Sequence, residues 1–151
     1  MKADSLTPKS ALGFGLLPPL GIIGYFLIMR AFGLIHHMEL RYFNGVILLI
    51  GVLASMRHRA FNQPHFSYLE GFGQGVITGV VATLLFSGFI SVYLRIDKAF
   101  LEYIQANAMF GSYLNSQTVF GVLVGEGFAS TVCISFISMQ YFKRYIVRLD
   151  N

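Results

Sequence analysis

Glu126 is the one acidic residue inside a long uncharged run, residues 118–141. Those 24 residues would cross a bilayer as a helix. An ionised carboxylate near the middle of such a helix costs about 2.5–3.5 kcal/mol to insert, so the side chain is expected to face protein or water. Two chemistries fit that position: a polar clamp that hydrogen-bonds a neighbouring helix, or a site that exchanges a proton or a cation. Glu126 lies eight residues in from Thr118, about 12 Å below one interface at a rise of about 1.5 Å per residue. The same depth on an antiparallel preceding span falls at Ser87 and Thr83, and the hydroxyl of one of them is the expected partner.

Other reactive side chains form no comparable set. His36, His37 and Glu39 share one short connection, but adjacent histidines point about 100° apart on a helix. A metal site needs three or four convergent donors, and His58 and His65 flank a different connection, so no metal or cofactor is expected. The single Cys133 cannot close an intramolecular disulfide and is expected to pack as a small apolar residue. No phosphate-binding glycine loop, activated nucleophile or paired carboxylates can be read from the chain, which argues against an enzyme.

The elements that must hold Glu126 follow from composition. Apolar residues make up 55% of the 151 and charged residues 12%, against roughly 25% charged in soluble domains. At about 20 residues per crossing, four spans and their loops use the whole length. The expected fold is all-α, a single domain over 1–151: a membrane bundle of four helices with spans at about 11–29, 42–56, 71–94 and 118–141. Pro18 and Pro19 lie inside the first span and are expected to kink it. The second span is short, with Arg41 and Arg57 reaching for the interfaces. The start of the chain also has the charge pattern of a secretory signal, but its length, its prolines and the absence of a small-residue cleavage pattern favour an uncleaved span. In the third loop Asp97 suits an N-cap. Phe100, Tyr103, Ile104 and Met109 or Phe110 then recur at helical spacing, which predicts a short amphipathic helix on the membrane surface or capping the bundle.

Basic residues set an orientation. Lys2, Lys9, Arg57, Arg59, Lys143, Arg144 and Arg148 fall on one side, against Arg30, Arg41, Arg95 and Lys98 on the other, which predicts cytoplasmic N- and C-termini. The net charge of +4 is then largely a topology signal. It does not form the basic stripe of a nucleic-acid binder, and the three C-terminal cations are fewer than the four to eight of a lipid-headgroup cluster.

In lipid, helices associate largely through close backbone approach at small residues. The third span carries Gly71, Gly75, Gly79, Thr83, Ser87 and Ser91 at a spacing of four, and the fourth carries Gly121, Gly125, Ala129 and Cys133. Both stripes are expected to be packing faces, with a substrate pathway as the other reading of the first.

Residues 67–79, Ser-Tyr-Leu-Glu-Gly-Phe-Gly-Gln-Gly-Val-Ile-Thr-Gly, together with residues 96–104, Ile-Asp-Lys-Ala-Phe-Leu-Glu-Tyr-Ile, resemble the DUF4199 family, uncharacterised four-span membrane proteins found mainly in Bacteroidota. In that family a Phe-Gly-Gln element opens span three, and the span ends in Asp-Pro before an amphipathic segment. Phe72-Gly73-Gln74 matches the first element and Asp97 the second, while Lys98 stands where the family has proline. The resemblance implies a bacterial cytoplasmic membrane with both termini inside, and no activity. Two functions remain in view: an accessory or scaffolding subunit whose partners are the bilayer, other membrane subunits or itself, and a small proton- or cation-coupled transport protein using Glu126.

Overall fold

The computed structural model describes residues 8–36, 40, 42–62 and 67–146, and all its regular structure is helical. Five α-helices follow in order: α1 Pro8–Ala31, α2 Tyr42–Asn62, α3 Tyr68–Ile96, α4 Lys98–Asn107 and α5 Ser116–Ile146. Two of them, α3 and the Ser116–Lys143 part of α5, are long and apolar enough to cross a membrane, and Gly15–Ala31 of α1 is a shorter apolar stretch. Arg41, His37, Glu39 and His65 lie outside the described residues.

Each helix is longer than its uncharged run because polar flanks continue the backbone hydrogen bonding. In α2 the turn beyond Met56 stays helical to Asn62, and Arg57 lies over the Phe61 ring, 5.4 Å from its centroid. A capping box starts α3: the Glu70 N–H donates to Ser67 Oγ and the Ser67 N–H donates to Glu70 Oε2, both at 3.3 Å. Asp97 ends α3 and opens α4, accepting from the Phe100 N–H at 3.1 Å, as its type and position predicted.

The helix α1 continues through Pro18 and Pro19 without interruption. Both rings are fully buried, and Pro18 seats against Gly51 of α2, where any larger residue would collide with it. The prolines thus act in packing, and Gly51 is what admits them.

Contacts fix the helix directions. Pro18 meets Gly51 and Gly21 meets Ile47, so α1 and α2 are antiparallel. Gln74 and Thr78 of α3 meet Ser55 of α2, and because α1 is antiparallel to α2 and parallel to α3, α2 and α3 are antiparallel. Gly15 meets Val81 and Phe26 meets Phe89 and Tyr93, so α1 and α3 run parallel. Gly75 meets Ser135, Gly79 meets Thr131 and Thr83 meets Gly127, so α3 and α5 are antiparallel. Helix α3 is therefore central, touching α1, α2 and α5.

The middle of α3 shows what holds these contacts. Ser55, Gln74 and Thr78 are buried, and they share hydrogen bonds of 2.8 Å, Gln74 Nε2 to Ser55 Oγ and Ser55 Oγ to Thr78 Oγ1. At one end, Phe26, Phe89, Tyr93 and Phe100 pack with ring centroids 5.0–6.1 Å apart. There Arg30 pairs with Asp97 and lies 4.9 Å over the Tyr93 ring, tying α1 to the α3–α4 corner. The half-buried Phe100, Leu101 and Ile104 of α4 pack on a cluster of Ile90, Leu94 and Val119, so the amphipathic helix caps this end of the long helices.

Candidate functional site

The small-residue stripe of α3 is buried as expected at Gly71, Gly75, Gly79, Thr83 and Ser87, and half-buried at Ser91. Its interface with α5 alternates glycine and hydroxyl. A Cβ added at Gly75 would stand 2.7 Å from Ser135 Oγ, one at Gly79 would collide with Thr131, and one at Gly127 would stand 2.6 Å from Thr83 Oγ1. Each glycine thus receives a hydroxyl-bearing side chain of the facing helix. Ser91 and Ser116 extend the contact with hydrogen bonds, Ser91 Oγ to the Ser116 carbonyl at 2.9 Å and Ser116 Oγ to the Ser91 carbonyl at 2.6 Å.

The expected stripe of α5 is not the one that packs. Gly121, Gly125, Ala129 and Cys133 are exposed, and a Cβ at Gly121 or Gly125 would meet nothing. The helix is turned so that Gly127, Thr131, Ser135 and Ser138 face inward, the last three being buried. The physical reason is shape: Thr131 and Ser135 fill the gaps that Gly79 and Gly75 leave on α3, and Gly127 in turn receives Thr83. Cys133 accordingly sits on the outside of α5 instead of in the core.

This rotation also sets the place of Glu126. Opposite Thr83 stands Gly127, and a step of four residues on each helix puts Ser87 opposite Leu123. Glu126 is next to Gly127 and turned about 100° from the contact line, exposed at its edge. The expected hydrogen bond to Ser87 is not formed: Ser87 Oγ is buried and has no hydrogen-bond partner. The three residues are nonetheless brought together, because Thr83, Ser87 and Glu126 all line one cleft of about 410 Å³ between α1, α2, α3 and α5.

Asn44, Tyr42, Ser130 and Gly127 also line that cleft, with Ile22, Leu48, Phe86 and Leu123 supplying apolar wall. Asn44 Oδ1 is, like Ser87 Oγ, buried without a hydrogen-bond partner. The cleft therefore offers an acceptor at Asn44, a hydroxyl at Ser87 and a carboxyl group at Glu126. Asn44 was not singled out in the sequence; a polar residue just inside the start of an apolar span was the signal for it.

A second cavity of about 540 Å³ lies under α4, lined mainly by Phe26, Met29, Phe100, Ile104, Met109 and Phe110 together with Asn44, Phe86 and Leu123. Asn44, Phe86 and Leu123 also line the first cleft, so the two spaces adjoin.

Comparison of the chain with family models, with curated proteins and with solved structures finds no match.

Proposed function

We propose that this chain is a four-span membrane protein that works as an assembly subunit, joining other membrane subunits or a second copy of itself through the outer face of α5. The observation that carries the reading is the unused stripe of Gly121, Gly125, Ala129 and Cys133, small residues four apart on an exposed face, where another transmembrane helix could approach closely. Membrane residence of all four long helices is supported by large apolar side chains turned outward on each. Leu20 of α1, Ile50 of α2, Val92 of α3 and Ile137 of α5 are 59–68% exposed, which water would penalise and lipid would not. The resemblance to DUF4199 adds the expectation of a bacterial cytoplasmic membrane.

Cys133 makes the test direct, since it is the only cysteine and lies on the proposed face. Oxidation with a membrane-permeant copper catalyst in native membranes should give a covalent dimer through Cys133. Gly125→Leu should lower its yield at least fivefold, while Gly88→Leu, on open surface of another helix, should not. Absence of a dimer, together with a lone monomer on mild-detergent purification, would overturn the reading. Reporter fusions at Asn151 and near Ala106 should report opposite compartments; the same compartment for both would refute four spans with cytoplasmic termini.

The placement of Glu126 beside Thr83 and Ser87 in one cleft favours a second reading, proton- or cation-coupled transport. Glu126→Gln keeps hydrogen bonding but cannot ionise. Loss of a pH- or cation-dependent flux in proteoliposomes with assembly intact would support that role, and an unaltered flux would end it.

A further inference from the structure

The two adjoining cavities differ in chemistry at their ends. The inner end carries two polar atoms buried and unpaired, Asn44 Oδ1 and Ser87 Oγ, with Thr83, Ser130 and the edge residue Glu126 nearby. The outer end is walled by Phe26, Met29, Phe100, Ile104, Met109 and Phe110. Native structures pair nearly all such buried polar atoms, so two orphans lining one cleft point to a ligand that completes them. Ser87 is fully buried, so its hydroxyl is shielded from bulk solvent. An amide oxygen only accepts, so whatever satisfies Asn44 Oδ1 must donate; a serine hydroxyl can donate or accept. A hydroxyl meets both needs. An anionic head offers no donor to Asn44. The apolar outer end suits a hydrocarbon body, and Asn44, Phe86 and Leu123 border both spaces.

We propose that the joined cavity binds a single-chain amphiphile with a hydroxyl head, its head at Asn44 and Ser87 and its chain beneath α4. This goes beyond the assembly reading and does not depend on it.

The test uses the full chain in phosphatidylcholine nanodiscs with a sixteen-carbon alcohol bearing a diazirine in its chain, and the carboxylic acid of the same chain as comparison. Photolysis and peptide mapping should place the alcohol on α4, at Ile104 and its neighbours, at least fivefold above the acid, and unlabelled hexadecanol should compete. Labelling at Ile137, which is 68% exposed on the far face of α5, reports bulk lipid and should not distinguish the two probes. Ser87→Ala combined with Asn44→Leu should lower the α4 labelling at least fivefold without changing that at Ile137. Should this pair fail to assemble, Ile104→Trp, which fills the apolar end and leaves the polar end untouched, should give the same loss. Equal labelling by alcohol and acid, no competition, or α4 labelling no higher than at Ile137 would each overturn the proposal.

Discussion

Helices α3 and α5 each contain a 24-residue apolar run, interrupted in α5 by Glu126, with small residues four apart, yet α3 turns its stripe into the protein and α5 turns the corresponding stripe out. In the most apolar stretch of α3 33% of residues are buried, against 11% in α5, so α3 is an interior helix and α5 a peripheral one. The difference lies in what accompanies the glycines. In α3 the glycines and the hydroxyl residues Thr83 and Ser87 fall on one line, so a single rotation buries them all. In α5 two lines overlap: Gly121, Gly125, Ala129 and Cys133, and, turned from it, Gly127, Thr131 and Ser135. Only one can face α3, and it is the line whose side chains fill the gaps at Gly75 and Gly79.

The sharpest way to break this comparison is to enlarge a glycine on each helix. A side chain at Gly79 collides with Thr131 across the interface. Overpacking typically costs about 1–3 kcal/mol where neighbours can yield. Here the leucine must also hold two helix backbones apart, so Gly79→Leu is expected to abolish recovery of monodisperse folded protein, with Gly75→Leu close behind. Val80→Leu, on the half-buried flank of the same turn, should be tolerated. Gly121→Leu should leave monomer stability within about 0.5 kcal/mol of the parent, as for other surface changes. Thermal unfolding in detergent, followed by helical circular dichroism and gel filtration, reads all four. Equal damage at Gly79 and Gly121 would show that α5 is rotated from the position described.

Much of this arrangement can be read from the sequence. The helical class, the long runs of α3 and α5, the Asp97 cap and the packing stripe of α3 all follow from strong local signals: apolar length, a capping residue and an unbroken four-residue period. Which face of α5 packs does not follow from period alone, because two stripes have the same period and the choice depends on a partner helix. The same holds for Glu126. Its depth could be counted from the sequence, and so its shared cleft with Thr83 and Ser87 was legible, but its rotation about the helix axis was not, and that rotation separates it from Ser87. The pairing of Pro18 with Gly51 was hidden for a related reason, since a proline's ring is visible in sequence but the cavity that receives it lies on another helix.

A smaller effect sharpens the contrast on the other side of α3. Gln74 is buried and bonded across to Ser55 of α2, whereas the hydroxyls of α5 that face α3 are unpaired at Thr131 and Ser135. Gln74→Leu, nearly the same size, removes a made hydrogen bond and should destabilise by about 1 kcal/mol. Part of the loss is spared because Ser55 Oγ keeps its bond to Thr78. Chemical or thermal unfolding should show the shift, and no change would mean that the Gln74–Ser55 bond adds nothing to the Ser55–Thr78 bond and the apolar packing of Val52 and Met56.

The smallest expected effect decides why α5 chose its inward line. Thr131→Val keeps the shape against Gly79 and deletes a hydroxyl that has no hydrogen-bond partner. Replacing an unsatisfied buried polar atom by an apolar one of the same shape is nearly neutral or stabilising, so stability should stay level or rise by up to about 1 kcal/mol. The opposite sign has a specific meaning. Thr131 Oγ1 sits close to the Gly79 backbone, where a Cα–H donor would contribute about 0.5–1 kcal/mol. A loss of that size would mean that glycine on α3 serves as a weak donor as well as a gap. Double-mutant comparison with Gly79→Ala separates the cases: if the hydroxyl acts through the glycine, the cost of Thr131→Val disappears once the helices are held apart. If it serves only as shape, the two changes add, and the orientation of α5 is then set by the fit of the Thr131 side chain into the gap at Gly79.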